Sequence, residues 1–420
     1  MEVHGISVLN CLITFGQPDP SNKAEIVDPK YISEVSNITI EDSYKTLINK
    51  ASIQFTRWIT YRTDRNAKTG KRYKLVGDED SIFARGMRIN IKLCYGPDKN
   101  LTTMFDGFIT SISPGNPFVI ECEDFGYVLK QTALAPIKTD AKGVKLNEFI
   151  PEILKGTGID LHPVSRARDI TVGQIIYPQN CTVADILTKF SKGGIVCYIR
   201  NYNNKPHLCI GTTFLSSSRN DSVLKDFPDT PYEVYFNENV ASDDLKVMKL
   251  DMNLLAVEAI SIYNDNSRYK MVVRKDPKDP SKFQIVNETK ISKKQVKNTI
   301  LSVSDANSNI SNIYGTGNNK IDLKGYNITT IHAYNTDRDG LLKQAEAAFS
   351  EICKTGISGT VTLFGDFNMQ AGCKVSLHDD LNPERDGVYV VSEVKTSFGS
   401  KGYRQEIKIP YKLYDNSNGN

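Results

Sequence analysis

The sequence is poor in the residues that most often mark chemistry: 420 residues contain one Trp, five His and eight Cys. The histidines, His4, His162, His207, His332 and His378, are dispersed, and none adjoins a cysteine at metal-ligand spacing. No CxxC pair occurs, and most cysteines sit in apolar runs such as Ile195-Val196-Cys197-Tyr198-Ile199. That pattern predicts buried, reduced thiols and argues against a disulfide scaffold. Together these shortages predict a protein that needs no metal and no cofactor. No G-x-S-x-G elbow, Walker loop or H-E-x-x-H motif is present, and Gly315-Thr316-Gly317 reads as a loop. Neither charge dominates: 52 basic and 49 acidic residues leave +3, which gives no reason to expect a nucleic-acid partner. No apolar run approaches the roughly 20 residues of a membrane helix, so no membrane insertion is expected. Met1-Glu2-Val3-His4 carries an acid where a secretory leader would carry Lys or Arg, and the expectation is folding in a cytoplasm.

What is present is globular. The apolar fraction is 40% and the charged fraction 24%, over a length sufficient for two to four domains. Strand patterns dominate the first third. Ile53-Gln54-Phe55 and Met87 to Leu93 alternate apolar and polar residues. Tyr95 to Asn100 and Pro114 to Pro117 are turns, and Thr103 to Ile112 and Phe118 to Cys122 are the strands they connect. Short turns between strands predict an antiparallel sheet or barrel. Between Trp58 and Ile82 the rhythm breaks. Tyr61 to Lys74 holds six Lys or Arg against one acid, Asp64, and is read as an exposed, extended hairpin or loop. Trp58, Arg62, Arg65, Lys68, Lys71 and Arg72 are its candidate interaction residues, because aromatics beside arginines are enriched at interface hot spots. A solvated basic loop is the plainer reading.

The middle third changes character. Leu146 to Leu154 and Val183 to Phe190 have helical spacing, with Thr182 as N-cap of the second. Strands at Ile195 to Arg200 and His207 to Gly211 complete a small α+β module. Ser216 to Asp229 reads as a linker. Strands return from Tyr232, with a hairpin of Leu254 to Tyr263 and Tyr269 to Arg274. Asp276 to Gly325 reads as an elaboration. A helix at about 337–354 precedes strands at Gly359 to Phe364, Lys374 to Leu377, Gly387 to Thr396 and Arg404 to Tyr411. His378-Asp379-Asp380 reads as a turn between two of them.

Residues 82 to 134 resemble the first domain of contractile-tail baseplate hub proteins. That family includes the phage baseplate hub, the phage late control protein D and the N-terminal half of the type VI secretion spike protein. The resembling segments are Phe83 to Ile91, with Gly86 opening the strand; Phe105-Asp106-Gly107-Phe108-Ile109; and Pro117 to Asp124, ending in Cys122-Glu123-Asp124. Thr182 to Leu187, Phe236 to Val240, Gly372 to Val375 and Asp386 to Val391 follow in the family's order. The resemblance implies an α+β, mainly β fold: two tail-tube-like antiparallel β-barrels with an inserted α+β domain. Its domains would be 1–136, with the basic hairpin 61–74; 137–228, with a linker; and 229–415, with an insertion at about 276–335, before a tail at 416–420.

The resemblance further implies a non-enzymatic structural hub, a homotrimer that adapts a sixfold tail tube to a threefold spike. Six barrels from three chains would match the tube. The partners implied are further copies of the chain, the tail tube protein and a separate spike protein, since no spike module is expected after the last strand. The tape-measure and baseplate wedge proteins are further candidates. The site implied is the baseplate end of a tail assembled from protein made in the bacterial cytoplasm. Two other classes compete. A tail-associated peptidoglycan hydrolase would need a carboxylate pair, one raised in pKa, in a cleft. A carbohydrate-binding surface protein has 20 tyrosines as its hint, and β-propensity explains those.

Overall fold

The computed structural model describes residues 9–56, 58–67, 69–74, 82–96, 101–139, 144–167, 171–172, 175–177, 181–192, 195–203, 205–211, 230–248, 255–262, 268–279, 282–291, 326–334, 338–352, 356–365, 367–410 and 412–414. Nine strands open the chain: β1 (Leu9–Pro18), β2 (Ile26–Ile32), β3 (Asn37–Ser43), β4 (Lys50–Phe55), β5 (Trp58–Arg62), β6 (Lys71–Lys74), β7 (Arg88–Tyr95), β8 (Thr102–Ser113) and β9 (Phe118–Asp124). They lie antiparallel in the order β3-β4-β9-β8-β7-β1-β2-β5-β6. Alternate residues face inward, as the period of two requires. Ile53 and Phe55, Ile89 and Ile91, and Ile120 and Cys122 are all buried. Ile38, at one end of this order, and Ile59, towards the other, share one core with them. The sheet is therefore rolled around that core. Phe83 fills its middle, with ring centroids 4.7 Å from Phe15 and 6.1 Å from Phe118. Each such fully buried side chain contributes about 1.5–3 kcal/mol.

Two glycines of the resemblance have structural reasons. Gly86 turns into β7 at a φ of +88°, a conformation that side chains resist. Gly107 brings β8 against β9 so closely that a Cβ would lie 2.2 Å from the Glu123 carbonyl oxygen. Beside it Arg88, 2% exposed, donates to the Gly107 carbonyl at 2.7 Å and pairs with Asp106 at 2.8 Å. Its guanidinium lies over the rings of Phe108 and Phe125.

The middle module packs helices Leu146–Ile153 and Val183–Lys192 against the antiparallel pair Val196–Tyr202 and Lys205–Gly211, in a core that also takes in Phe108 and Phe125 from beside the first strand set, while Val164 of helix Pro163–Ala167 packs with Tyr198 and Cys209. Thr182 caps its helix reciprocally. The Asp185 backbone N–H donates to Thr182 Oγ1 at 3.2 Å, and the Thr182 N–H donates to the Asp185 carboxylate at 2.8 Å.

The strand-rich stretch from Tyr232 divides among three sheets. Glu393–Gly399 pairs with β3, setting Phe398 opposite Ile38. Gly402–Ile409, Gly356–Phe364 and Val240–Met248 follow outward, so that one sheet of thirteen strands carries both ends of the chain. A second sheet of Tyr232–Tyr235, Lys374–His378, Gly387–Val390 and Lys412–Tyr414 packs on that half through Val361, Leu363, Val375 and Tyr389. Leu255–Ile262, Arg268–Lys275, Phe283–Ile291 and Asn327–Tyr334 form the third, covered by helix Arg338–Ile352 through Leu341, Ala345 and Phe349. The elaboration expected from Asp276 thus contributes a strand to this smaller sheet; residues 292–325 lie outside the described residues.

One strand expectation is corrected. Gly387 to Thr396 is two strands in two different sheets. Between them the N–H of Val391 donates to the Cys373 carbonyl and that of fully buried Ser392 to the Lys408 carbonyl. The chain changes sheet there, and an unbroken apolar run hides the step. Gly107→Ala is expected to destabilise the protein by about 2–4 kcal/mol in urea titration, because the obstruction is backbone and cannot turn away.

Candidate subunit interface

The basic segment is a hairpin at the edge of the large sheet. β5 pairs with β6, Ile59 opposite Tyr73 and Thr60 opposite Arg72, and β5 joins the sheet through β2, Tyr31 opposite Arg62. Strand alternation therefore continues past Ile59. Ile59 is 2% exposed, and Tyr61 and Tyr73 pack on the same core, their rings edge to face at 6.4 Å. The opposite face carries Trp58, 44% exposed, with the Arg72 guanidinium 4.8 Å above its ring. A cation over an aromatic face holds both groups ready at the surface.

The remaining candidates separate. Arg62 turns back to the sheet and donates to Ser33 Oγ at 2.7 Å. Arg65 and Lys71 are exposed at the hairpin end. Lys68 lies outside the described residues. Asp64 organises the turn, accepting the Asn66 N–H at 2.9 Å on its carboxylate and the Ala67 N–H on its carbonyl. Gly70 is required where the return strand crosses Thr60, whose methyl would lie 2.5 Å from an added Cβ. The structure thus brings Trp58 and Arg72 together, ties Arg62 along the sheet to Ser33 and leaves Arg65 and Lys71 outward. Cationic residues on an outermost strand also discourage unwanted strand addition.

A second group was invisible in the sequence. Asp42, half-buried, and Asp124, buried, lie where the first strand set, the middle module and the last strand set meet. Asp42 accepts the Ala371 N–H at 2.8 Å, and Asp124 accepts the Gly126 N–H at 2.8 Å. Asn49, beside them, donates to the Ile199 carbonyl, and Gln370 accepts the Asn201 N–H at 2.9 Å. Burial drives the Asp42 carboxyl up to about 6 and raises that of Asp124 well above the usual range. Raised carboxyls resemble a glycosidase pair, but the space they line is about 50 Å³, too small for a saccharide. His162 and His207 also meet, 6.1 Å apart in the middle module. The Val164 N–H donates to His162 Nδ1, and burial lowers the His162 imidazole to about 4, a neutral structural group. Among the described residues no three His, Cys, Asp or Glu side chains converge as a metal site.

The fold is shared with solved tail proteins. In particular, it is similar along its length to two solved structures. One is a tail protein from Neisseria meningitidis MC58, with a TM-score of 0.52, 10% identity, and 95% of this chain and 96% of that one covered. The other is the 43 kDa tail protein of prophage MuSo2 from Shewanella oneidensis, with a TM-score of 0.51, 10% identity, and 96% and 98% covered. No protein-family model matches the sequence, and no curated protein matches it.

Because the folded Asp42 carboxyl titrates above its unfolded value of 3.8, the native state holds a proton that the unfolded chain releases. The associated stability is complete below about pH 4 and is lost as pH rises through 6. Asp42→Asn keeps an acceptor for the Ala371 N–H without the charge. Urea titrations should therefore show wild type losing about 2 kcal/mol relative to this variant between pH 4 and pH 7.

Proposed function

We propose that this protein is the structural hub of a phage tail or contractile injection machine, a homotrimer that joins a sixfold tail tube to a threefold spike. The observation that carries the reading is the end-to-end fold likeness to tail proteins. It is supported by the single sheet that unites strand sets from both ends of the chain. Two barrel-like halves per chain make six around a trimer, and a closed ring needs two different complementary faces on each copy. The partners in this reading are the tail tube protein on one side and a separate spike protein on the other. Tape-measure and wedge proteins would lie nearby, all at the baseplate end of the tail. The hydrolase alternative finds no support in the Asp42–Asp124 pair, which lines a space of only about 50 Å³. Mass by light scattering and particle symmetry by cryo-EM test the reading. A trimer is expected, and a stable dimer or a sixfold ring of single chains would refute it.

In the same reading the β5–β6 hairpin is an arm against a neighbouring chain with an acidic rim, which would speed docking. Replacing Arg65, Lys68, Lys71 and Arg72 with Ser, while keeping Arg62, which is bonded to Ser33, is expected to weaken tube attachment. The defect should be largest at low salt and fade as salt rises. Equal assembly at every salt concentration would reduce the arm to an edge-strand guard.

A further inference from the structure

The turn at Asp379–Asp386 is far more ordered than a connection between two strands needs. Asp379, 4% exposed, accepts the N–H groups of Leu381 at 3.0 Å and Asn382 at 3.1 Å on one carboxylate oxygen. Its other oxygen takes the Asn382 amide at 3.1 Å and Arg385 Nη1 at 3.4 Å. The Asp379 N–H donates to Asp386 Oδ1 at 2.7 Å, and Lys412 Nζ donates to the carbonyls of Glu384 and Asp386. This framework holds out Leu381, 82% exposed, the most exposed of the large apolar side chains among the described residues. Asp380 and Glu384, both exposed, flank it. An apolar side chain fixed in one place loses little entropy on docking, which distinguishes an anchor from a leucine on a mobile loop.

Elsewhere in the chain lies a cavity of about 380 Å³, between the β1–β2 connection and the middle module. Its apolar floor includes Pro151, Leu154 and Leu161; Lys155 (paired with Glu152), Arg166 and Lys205 stand exposed at its margin, and the acid Asp160 lines it as well. It has room for a leucyl side chain, and the Arg166 and Lys205 cations at its margin complement the acids beside Leu381. The two features share no residue and are carried by different modules. A contact between them is therefore heterologous, the type from which closed rings are built.

We infer that Leu381 of one copy seats in this cavity of the next copy, a knob-in-socket contact between protomers that rests on the trimer reading. The test uses the full chain, by sedimentation velocity over a concentration series. Leu381→Asp is expected to weaken trimer association at least about tenfold with an unchanged circular dichroism spectrum, since anchors of this kind dominate interfaces. Asp380→Lys should also weaken it, and adding Lys205→Glu to that variant should restore it. A benzoylphenylalanine installed in place of Leu381 should cross-link to a peptide from 151–166 or 205–206 of another copy. If wild type is a trimer, Leu381→Asp leaves it intact and cross-links miss the socket, the contact is wrong while the trimer stands. If wild type remains a monomer at every concentration and no cross-link forms, the trimer reading fails and the contact with it.

Discussion

The antiparallel ladder between β3 and Glu393–Gly399 is the joint from which the rest of the architecture follows. It pairs seven residues with seven across about 350 intervening positions. Closing a loop of that length costs roughly 5 kcal/mol in chain entropy, which the ladder alone offsets poorly. Apolar burial provides the remainder, since Phe398 and Tyr403, from the far end of the chain, lie in the core of the first strand set. Tyr95 adds a polar clasp, donating to the Tyr403 carbonyl at 2.7 Å while accepting from Arg404 at 2.9 Å. With the joint closed, the two strand sets become one continuous sheet, and the middle module is fixed against both.

The chemistry of the joint is unusual in one respect. Asp42, on β3, reaches Ala371, while the neighbouring Asn49 and Gln370 hold the backbone of residues 199 and 201. Three modules are thus tied by short-range hydrogen bonds at a place that also holds one buried and one half-buried carboxyl group. Buried polar groups need partners, and those partners are available in one mutual arrangement of the modules. Apolar packing would hold the modules together in several orientations, and these bonds select among them.

Elements with strict local periodicity were legible in the sequence. Strands β4, β7, β8 and β9 alternate clearly, and the Thr182 cap and the amphipathic Val183–Lys192 helix follow from spacing. Strands β1 to β3 carry equally buried residues such as Ile13, Ile32 and Ile38, but one partner of β1 lies on β7 and one partner of β3 on Glu393–Gly399, far away in sequence. The break at Val391–Ser392 was hidden because both strands are apolar and a change of sheet leaves no residue signature. At the candidate interface, composition revealed the basic hairpin but not the direction of its side chains. Arg62 and Arg72 read alike in a sequence; one bonds Ser33 and the other lies over Trp58. The turn around Asp379 was legible as a turn, whereas the exposure of Leu381 depends on folded surroundings.

The seam at β3 also bears on how the chain is made. Synthesis delivers β3 long before its second neighbour, since about 350 residues must be added before Glu393–Gly399 exists. At 5–20 residues per second this leaves one side of β3 unpaired for roughly 20–70 seconds. Its Asn37-Ile38-Thr39-Ile40 segment, half of it apolar, is thus open to another nascent chain on the same polysome throughout that interval. A cell making this protein in quantity must shield that edge or outpace it, and translation speed becomes part of the yield of soluble product.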